Sequence, residues 1–173
     1  DWLGCDRESI GREKSGIFRP ARPAVCGDSE PPSSVPEEAA RTGAALRVLG
    51  RDFTLHQTGR GWHWQGQRGC LRDLPLASRA GAHELANAAS VVMVLELLGE
   101  RLPVTRQAIE SGLRWARLPG RIETIGGRVE QVLDVSHNAQ AAEALADALR
   151  RMPLAGRTIF LKAMSAMAFL LVA

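Results

Sequence analysis

The sequence predicts an α/β fold, and three observations predict it. Short apolar runs alternate with helical segments: Pro23–Gly27, then a helix over Val35–Thr42, then a strand at Leu46–Leu49. A helix between two such strands returns the chain for parallel pairing. The rhythm recurs near the end, with a strand at Gln131–Val135, an alanine-rich helix at Ala139–Arg151 and a strand at Gly156–Leu161. With 173 residues, 45% of them hydrophobic, the chain can fill a core in one domain, or in one domain and part of another.

In chain order, Asp6–Lys14 reads as a short helix with an Asp cap, ended by Pro20 and Pro23. The Pro/Ser-rich stretch Asp28–Ser34 is a connection, and Gly43 stops the next helix. Phe53–Gln57 and Gly61–Gln65, joined by Thr58-Gly-Arg60, predict an antiparallel hairpin beside the main sheet. Strand side chains alternate, so Trp62 and Trp64 share one face. They pack the ribbon, or else form a stacking platform for a base or pterin ring. Leu85, Ala88, Ala89, Val92, Leu95 and Leu98 recur at helical spacing, so Ala82–Leu98 is the strongest predicted helix, with Gly99 as its stop. Val104 or Thr105 opens a further helix, Arg106–Arg114. Leu118-Pro-Gly-Arg121 then breaks the pattern and is the candidate interdomain hinge.

Charge and cysteine content exclude several classes. The net charge is +3, with 24% charged residues and no basic block, which argues against an obligate nucleic-acid surface. Cys5, Cys26 and Cys70 form no C-x-x-C pair or Cys/His cluster, so a disulfide framework or structural zinc is not expected. Reduced, incidental cysteines fit a cytoplasmic protein. The uncharged stretch Ala163–Ala173 is too short to span a bilayer; it reads as a buried strand or helix, or as a cut or altered end.

The sharpest local feature is Val132-Leu-Asp-Val-Ser-His-Asn138. Polar residues between a strand and the next helix face the usual ligand crevice of α/β folds. Asp134 can accept from a ribose hydroxyl or hold a metal-bound water, His137 can donate to a phosphate oxygen, and Asn138 can cap the helix. Turn and capping chemistry is the alternative. Lys14 is a favourable charge at a helix end, or, if carbamylated, a carboxylate-like metal ligand. Arg121 is a surface linker residue or a planar clamp for phosphate. Asn87 is either tolerated on an exposed helix face or kept for an adenine edge. His56, His63 and His83 read as scaffold or surface, and no Gly-x-x-x-x-Gly-Lys-Ser/Thr loop occurs.

Four stretches in order resemble the bifunctional dihydrofolate synthase/folylpolyglutamate synthase family of the Mur ligase superfamily. They are Asp1-Trp-Leu-Gly-Cys-Asp-Arg-Glu-Ser-Ile-Gly-Arg-Glu-Lys-Ser-Gly-Ile-Phe-Arg-Pro20, Pro23-Ala-Val-Cys-Gly27, Arg117-Leu-Pro-Gly-Arg121 and Leu133-Asp-Val-Ser-His-Asn138. His83-Glu-Leu-Ala-Asn-Ala88 resembles the family's Asn-bearing helix, and the likeness extends over residues 1–161. It implies that residues 1–120 are the C-terminal part of a three-layer Mur-ligase-type ATPase domain with a side β-hairpin. Residues 121–173 would be the truncated start of a Rossmann-like C-terminal domain. The implied chemistry is ATP-dependent joining of L-glutamate to dihydropteroate or a reduced folate through an acyl phosphate. The implied cofactors are ATP and Mg2+, with a monovalent cation such as K+ as an optional addition.

Position by position, Lys14 matches the carbamylated, magnesium-supporting lysine, and Asn87 the adenine-contacting Asn. Arg121 matches the nucleotide-contacting linker Arg, while Asp134 and His137 match residues reaching the ribose and phosphate region. His137 thereby joins Lys14 as a candidate catalytic residue. The resemblance implies a monomeric, cytoplasmic parent that works without nucleic acid or membrane. Two departures stand out: Ser136 and Ala139 replace the usual Ala and Pro, and the sequence beyond Phe160 diverges. The family's P-loop and a metal-ligating His are expected before Asp1, so an internal fragment, inactive alone, is the expectation. The other readings are a non-catalytic remnant or a peptidoglycan-precursor Mur ligase; Trp2-Leu-Gly4 and Lys14-Ser-Gly-Ile-Phe18 favour the folate branch.

Overall fold

A computed structural model describes residues 6–75, 82–116, 119–136, 139–152, 157–162 and 168–172. The chain falls into two compact units that meet in sequence at Arg114 and Trp115.

The first unit opens with α1 (Arg7–Ser15), started by a capping box: Asp6 Oδ1 accepts from the Ser9 amide at 2.8 Å, and Ser9 Oγ accepts from the Asp6 amide at 3.3 Å. Strand β1 (Pro23–Cys26), helix α2 (Ser34–Thr42) and strand β2 (Ala45–Val48) form the expected parallel βαβ unit, with Pro23 opposite Ala45 and Cys26 opposite Val48. Helix α2 ends where Gly43 turns left-handed at φ 74°. Its N-terminus takes no cap from Ser33; instead Glu8 of α1 reaches across, accepting from the amides of Ser33 at 2.9 Å and Ser34 at 2.8 Å. The two helices approach closely because Gly11 lacks a side chain: a Cβ there would lie 2.6 Å from Pro32 and Ser34.

Beyond β2 the predicted hairpin is present as β3 (Thr54–Gln57) and β4 (Trp62–Gln65), and it gains a strand that was not predicted, β5 (Cys70–Leu74). Trp62 pairs with Leu74 and Trp64 with Leu71, so one residue on β4, His63, opposes two on β5, Arg72 and Asp73. That mismatch is a bulge. It hid the strand, because Leu71 and Leu74 are three apart where alternation requires two. Asp73 takes up the extra residue at φ 56° and donates its amide to His63 Nδ1 at 2.9 Å.

Trp62 and Trp64 are core residues, 1% and 3% exposed, which settles them as packing rather than a platform. Their indole N–H groups donate to Pro75 O and Ala89 O. They pack with Leu49, Phe53 and Leu74 against Leu85, Ala89, Val92 and Met93 of α3 (Ala82–Leu98). Helix α4 (Arg106–Trp115) follows; Thr105 Oγ1 accepts from the Ala108 amide at its start, and Arg106 donates to Arg72 O.

In the second unit the described strands form one sheet in the order β6-β7-β9-β8. These are β6 (Glu123–Ile125), β7 (Glu130–Asp134), β8 (Thr158–Lys162) and β9 (Ala168–Val172), with α5 (Ala139–Arg150) between β7 and β8. Strand β9 is antiparallel to both β7 and β8, which therefore run parallel to each other, as the helical connection requires. The apolar tail thus enters the sheet between the two strands that the sequence pattern paired. Val132 is buried against Ile122, Leu149 and Met152.

Candidate functional site

Five residues were singled out from sequence, and the structure treats them differently. Lys14 stands exposed in the last turn of α1, beside Arg12. Asn87 is exposed on α3, two residues after buried Leu85 and two before buried Ala89. Arg121 is exposed, with no ion pair among the described residues. His137 and its neighbour Asn138 lie outside the described residues.

Asp134 is the informative one. It ends β7 with only 3% of its surface exposed, and its carboxylate is fully engaged on two sides. One oxygen, Oδ1, accepts from the Ser136 amide at 2.8 Å and from the Ser136 hydroxyl. The other, Oδ2, accepts from the Ile122 amide at 2.9 Å. A buried carboxylate needs such donors, since desolvating the charge without them is costly.

The Ile122 amide adjoins Arg121, so the carboxylate reaches the hinge itself. On the other side of Arg121, Gly120 O accepts from the Val135 amide at 2.7 Å, and the Gly120 amide donates to Glu123 at 2.9 Å. Gly120 has φ 71° and Ile122 φ 46°, so the turn carrying Arg121 is left-handed on both flanks. The structure therefore brings Arg121 and Asp134 together at one end of β7. The Pro119-Gly120 pair signalled a turn, but nothing local signalled that Ile122, a β-branched residue, would adopt a conformation such residues avoid. Ser136, noticed only as a departure from a pattern, supplies two donors to Asp134.

Elsewhere, a cavity of about 450 Å³ lies between the β4–β5 ribbon and α3–α4. Trp64, Leu71, Val92, Leu95 and Ile109 line it, and neither Lys14 nor Asn87 does. At its rim Glu96 accepts from the amides of Gln67 and Arg68, closing the loop between β4 and β5. Among the described residues there is no group of three or more His, Cys, Asp or Glu side chains that could hold a metal ion. Lys14 as a plain ammonium donates and cannot ligate, so the described residues do not by themselves fit a magnesium centre. Among them, too, no helix is long and apolar enough to cross a membrane.

No family model matches the chain. It is 38% identical over 159 residues to the dihydrofolate synthase/folylpolyglutamate synthase of Escherichia coli, covering 92% of this chain and 36% of that protein. The Haemophilus influenzae protein of the same name is 30% identical over 165 residues, again across 36% of its length. Among solved structures, the Escherichia coli enzyme in complex with DHPP and ADP superposes with a TM-score of 0.81 at 39% identity. That match covers 91% of this chain and 36% of the other. A bifunctional synthase with Mn, AMPPNP and L-glutamate bound gives 0.78 at 39% identity, over 92% of this chain and 38% of the other. The chain spans little more than a third of the length of these relatives.

Proposed function

We propose that the chain is part of a protein of the dihydrofolate synthase/folylpolyglutamate synthase family, and that the whole protein joins L-glutamate to dihydropteroate or a reduced folylpolyglutamate using ATP. The substrate carboxylate attacks the γ-phosphorus and ADP leaves, giving an acyl phosphate. The glutamate amine then attacks the acyl carbon, loses a proton and expels phosphate. The observation that carries this reading is the match at a TM-score of 0.81 and 39% identity to an enzyme solved with DHPP and ADP.

In this reading residues 1–120 are the C-terminal part of the ATP-binding domain and residues 121–173 begin the C-terminal ligase domain. Arg121 clamps a nucleotide phosphate through its planar fork. Asn87 reads the adenine edge, and Asp134 and His137 serve the ribose and phosphate region. Lys14 would help to hold Mg2+ only as a carbamate, whose oxygens can ligate where the plain ammonium cannot; the ion would supply charge neutralisation to the transferring phosphoryl oxygens. A monovalent cation such as K+ and a monomeric, cytoplasmic enzyme belong to the same reading.

The test is glutamate-dependent ADP release by the whole protein with dihydropteroate or reduced folate, ATP and Mg2+, with the glutamylated product followed by chromatography. Product is expected, and Lys14→Ala is expected to lose most of it. No glutamylated product from either acceptor would overturn the proposal.

A further inference from the structure

We propose that Gly27 is a positioning residue for base recognition: by lacking a side chain it lets α3 close onto the carboxyl end of β1, and so sets where Asn87 stands. This rests on the reading of Asn87 as the adenine contact and specifies what places it. Three observations carry it.

Gly27 directly follows β1, whose partner β2 runs parallel to it. Ligands of α/β folds bind outside the carboxyl ends of such strands. At that end Gly27 meets α3: a Cβ there would lie 2.5 Å from Ser90 Oγ, 3.6 Å from Ala86 O and 3.7 Å from Ser90 Cβ. The Ser90 hydroxyl is kept in the contact by donating to Ala86 O at 2.8 Å. Gly27 is not left-handed, unlike Gly43, Gly50 and Gly120, so the position uses its small size and not its conformational freedom. Asn87 is the residue after Ala86 and stands exposed, while Leu85 and Ala89 bury the helix in the core. Helix α3 is therefore held on two faces, by the core and by Gly27, and Asn87 projects from its exposed face within one residue of the contact. An amide that reads a base edge through paired hydrogen bonds tolerates little displacement of the helix that carries it.

Valine at position 27 adds two γ-methyls to a Cβ that already touches α3, so G27V is expected to shift the helix. In the whole protein, N87A and G27V are each expected to raise the KM for ATP about tenfold, the worth of one base-edge contact. The KM for glutamate is expected to stay within about twofold in both. Working through Asn87, Gly27 has nothing left to position once the amide is gone, so G27V/N87A is expected to stay within about twofold of N87A. Multiplying losses, or an unchanged KM for ATP in G27V alone, would overturn the proposal. An unchanged KM for ATP in N87A would instead sink the adenine reading on which it rests.

Base discrimination is the readout that general loosening of the fold would not move. Inosine triphosphate differs from ATP only in the base, where a carbonyl replaces the amino group. G27V is expected to lower the preference for ATP over inosine triphosphate about tenfold, as N87A does. A preference kept intact while activity falls would overturn the positioning role. Should G27V fold poorly, G27A and S90A decide. Alanine at position 27 meets chiefly the Ser90 hydroxyl, so G27A is expected to raise the KM for ATP about fivefold, and G27A/S90A to return within about twofold of the unaltered protein. A G27A variant without effect, or one that S90A does not relieve, would count against the contact.

Discussion

At the scale of single residues, the turn before β6 shows how little room the chain has. Gly120 has φ 71°, and a Cβ there would sit 2.7 Å from Val135 Cγ1. Gly120→Ala therefore meets both a backbone and a packing penalty. It is expected to lose about 2 kcal/mol or more in urea unfolding. Ser136→Ala is milder. The hydroxyl has one proton to give, to Asp134 or to Ala141 O, and the Ser136 amide still serves Asp134 after the change. A loss of about 1 kcal/mol is expected. Glu8 makes a pH prediction. The amides of Ser34, and then of Ser33, hold its carboxyl below the usual 4.5, with burial opposing weakly. The folded value is depressed, so this contribution is fully present above the unfolded value and disappears as pH falls through the folded one. Unfolding midpoints measured from pH 6 down to pH 3 should fall more steeply for the native chain than for Glu8→Gln. Equal slopes would show that the cap is not felt.

Elements depend on contacts that their own residues do not announce. Helix α2 looked complete from Val35 to Gly43, yet its N-terminal amides are satisfied by Glu8 of α1. Strand β5 exists because β4 presents Trp62 and Trp64 to it and because Asp73 absorbs one residue in a bulge. Leu74, on that strand, is fully buried with both indoles. Leu74→Ala is expected to cost about 2–5 kcal/mol in urea unfolding, since the surrounding ring of large side chains cannot collapse into the gap. A cost below 1 kcal/mol would mean that the ribbon does not pack on α3 as described. The helix start at Asp6 was legible beforehand, because a capping signal lies within four residues of the helix it serves, and of Val104 and Thr105 it is Thr105 that caps the later helix.

At the scale of the molecule, α3 is apolar nearly all round: Leu85, Ala89, Val92 and Met93 are buried, while Val91 and Val94 are exposed. A helix of that composition suits burial on more than one face. The 173 residues contain no Gly-x-x-x-x-Gly-Lys-Ser/Thr loop. Backbone amides and a lysine of such a loop carry much of the charge neutralisation in phosphoryl transfer. These residues alone, mixed with ATP, Mg2+, glutamate and dihydropteroate, are therefore expected to give no product above a heat-killed control. Product that disappears in His137→Ala would refute this.

Order and type of most elements were set by local rules that the sequence states openly. Gly and Pro stops, Asp and Thr caps, the alternation around Trp62 and Trp64 and the helical period of Ala82–Leu98 all act within one or two turns of chain. Tertiary structure alone decided three things. The tail was equally suited to strand or helix until β7 and β8 offered it two edges, and the backbone pairing of β9 to both is a long-range choice. Strand β5 required an αL residue that its alternation could not reveal. The burial of Asp134 at the end of β7, with the amides of Ile122 and Ser136 donating to its carboxylate, is the third. In each case one deciding partner, β7 for the tail, β4 for β5 and Ile122 for Asp134, lies outside the local segment, where short-range spacing carries no information about it.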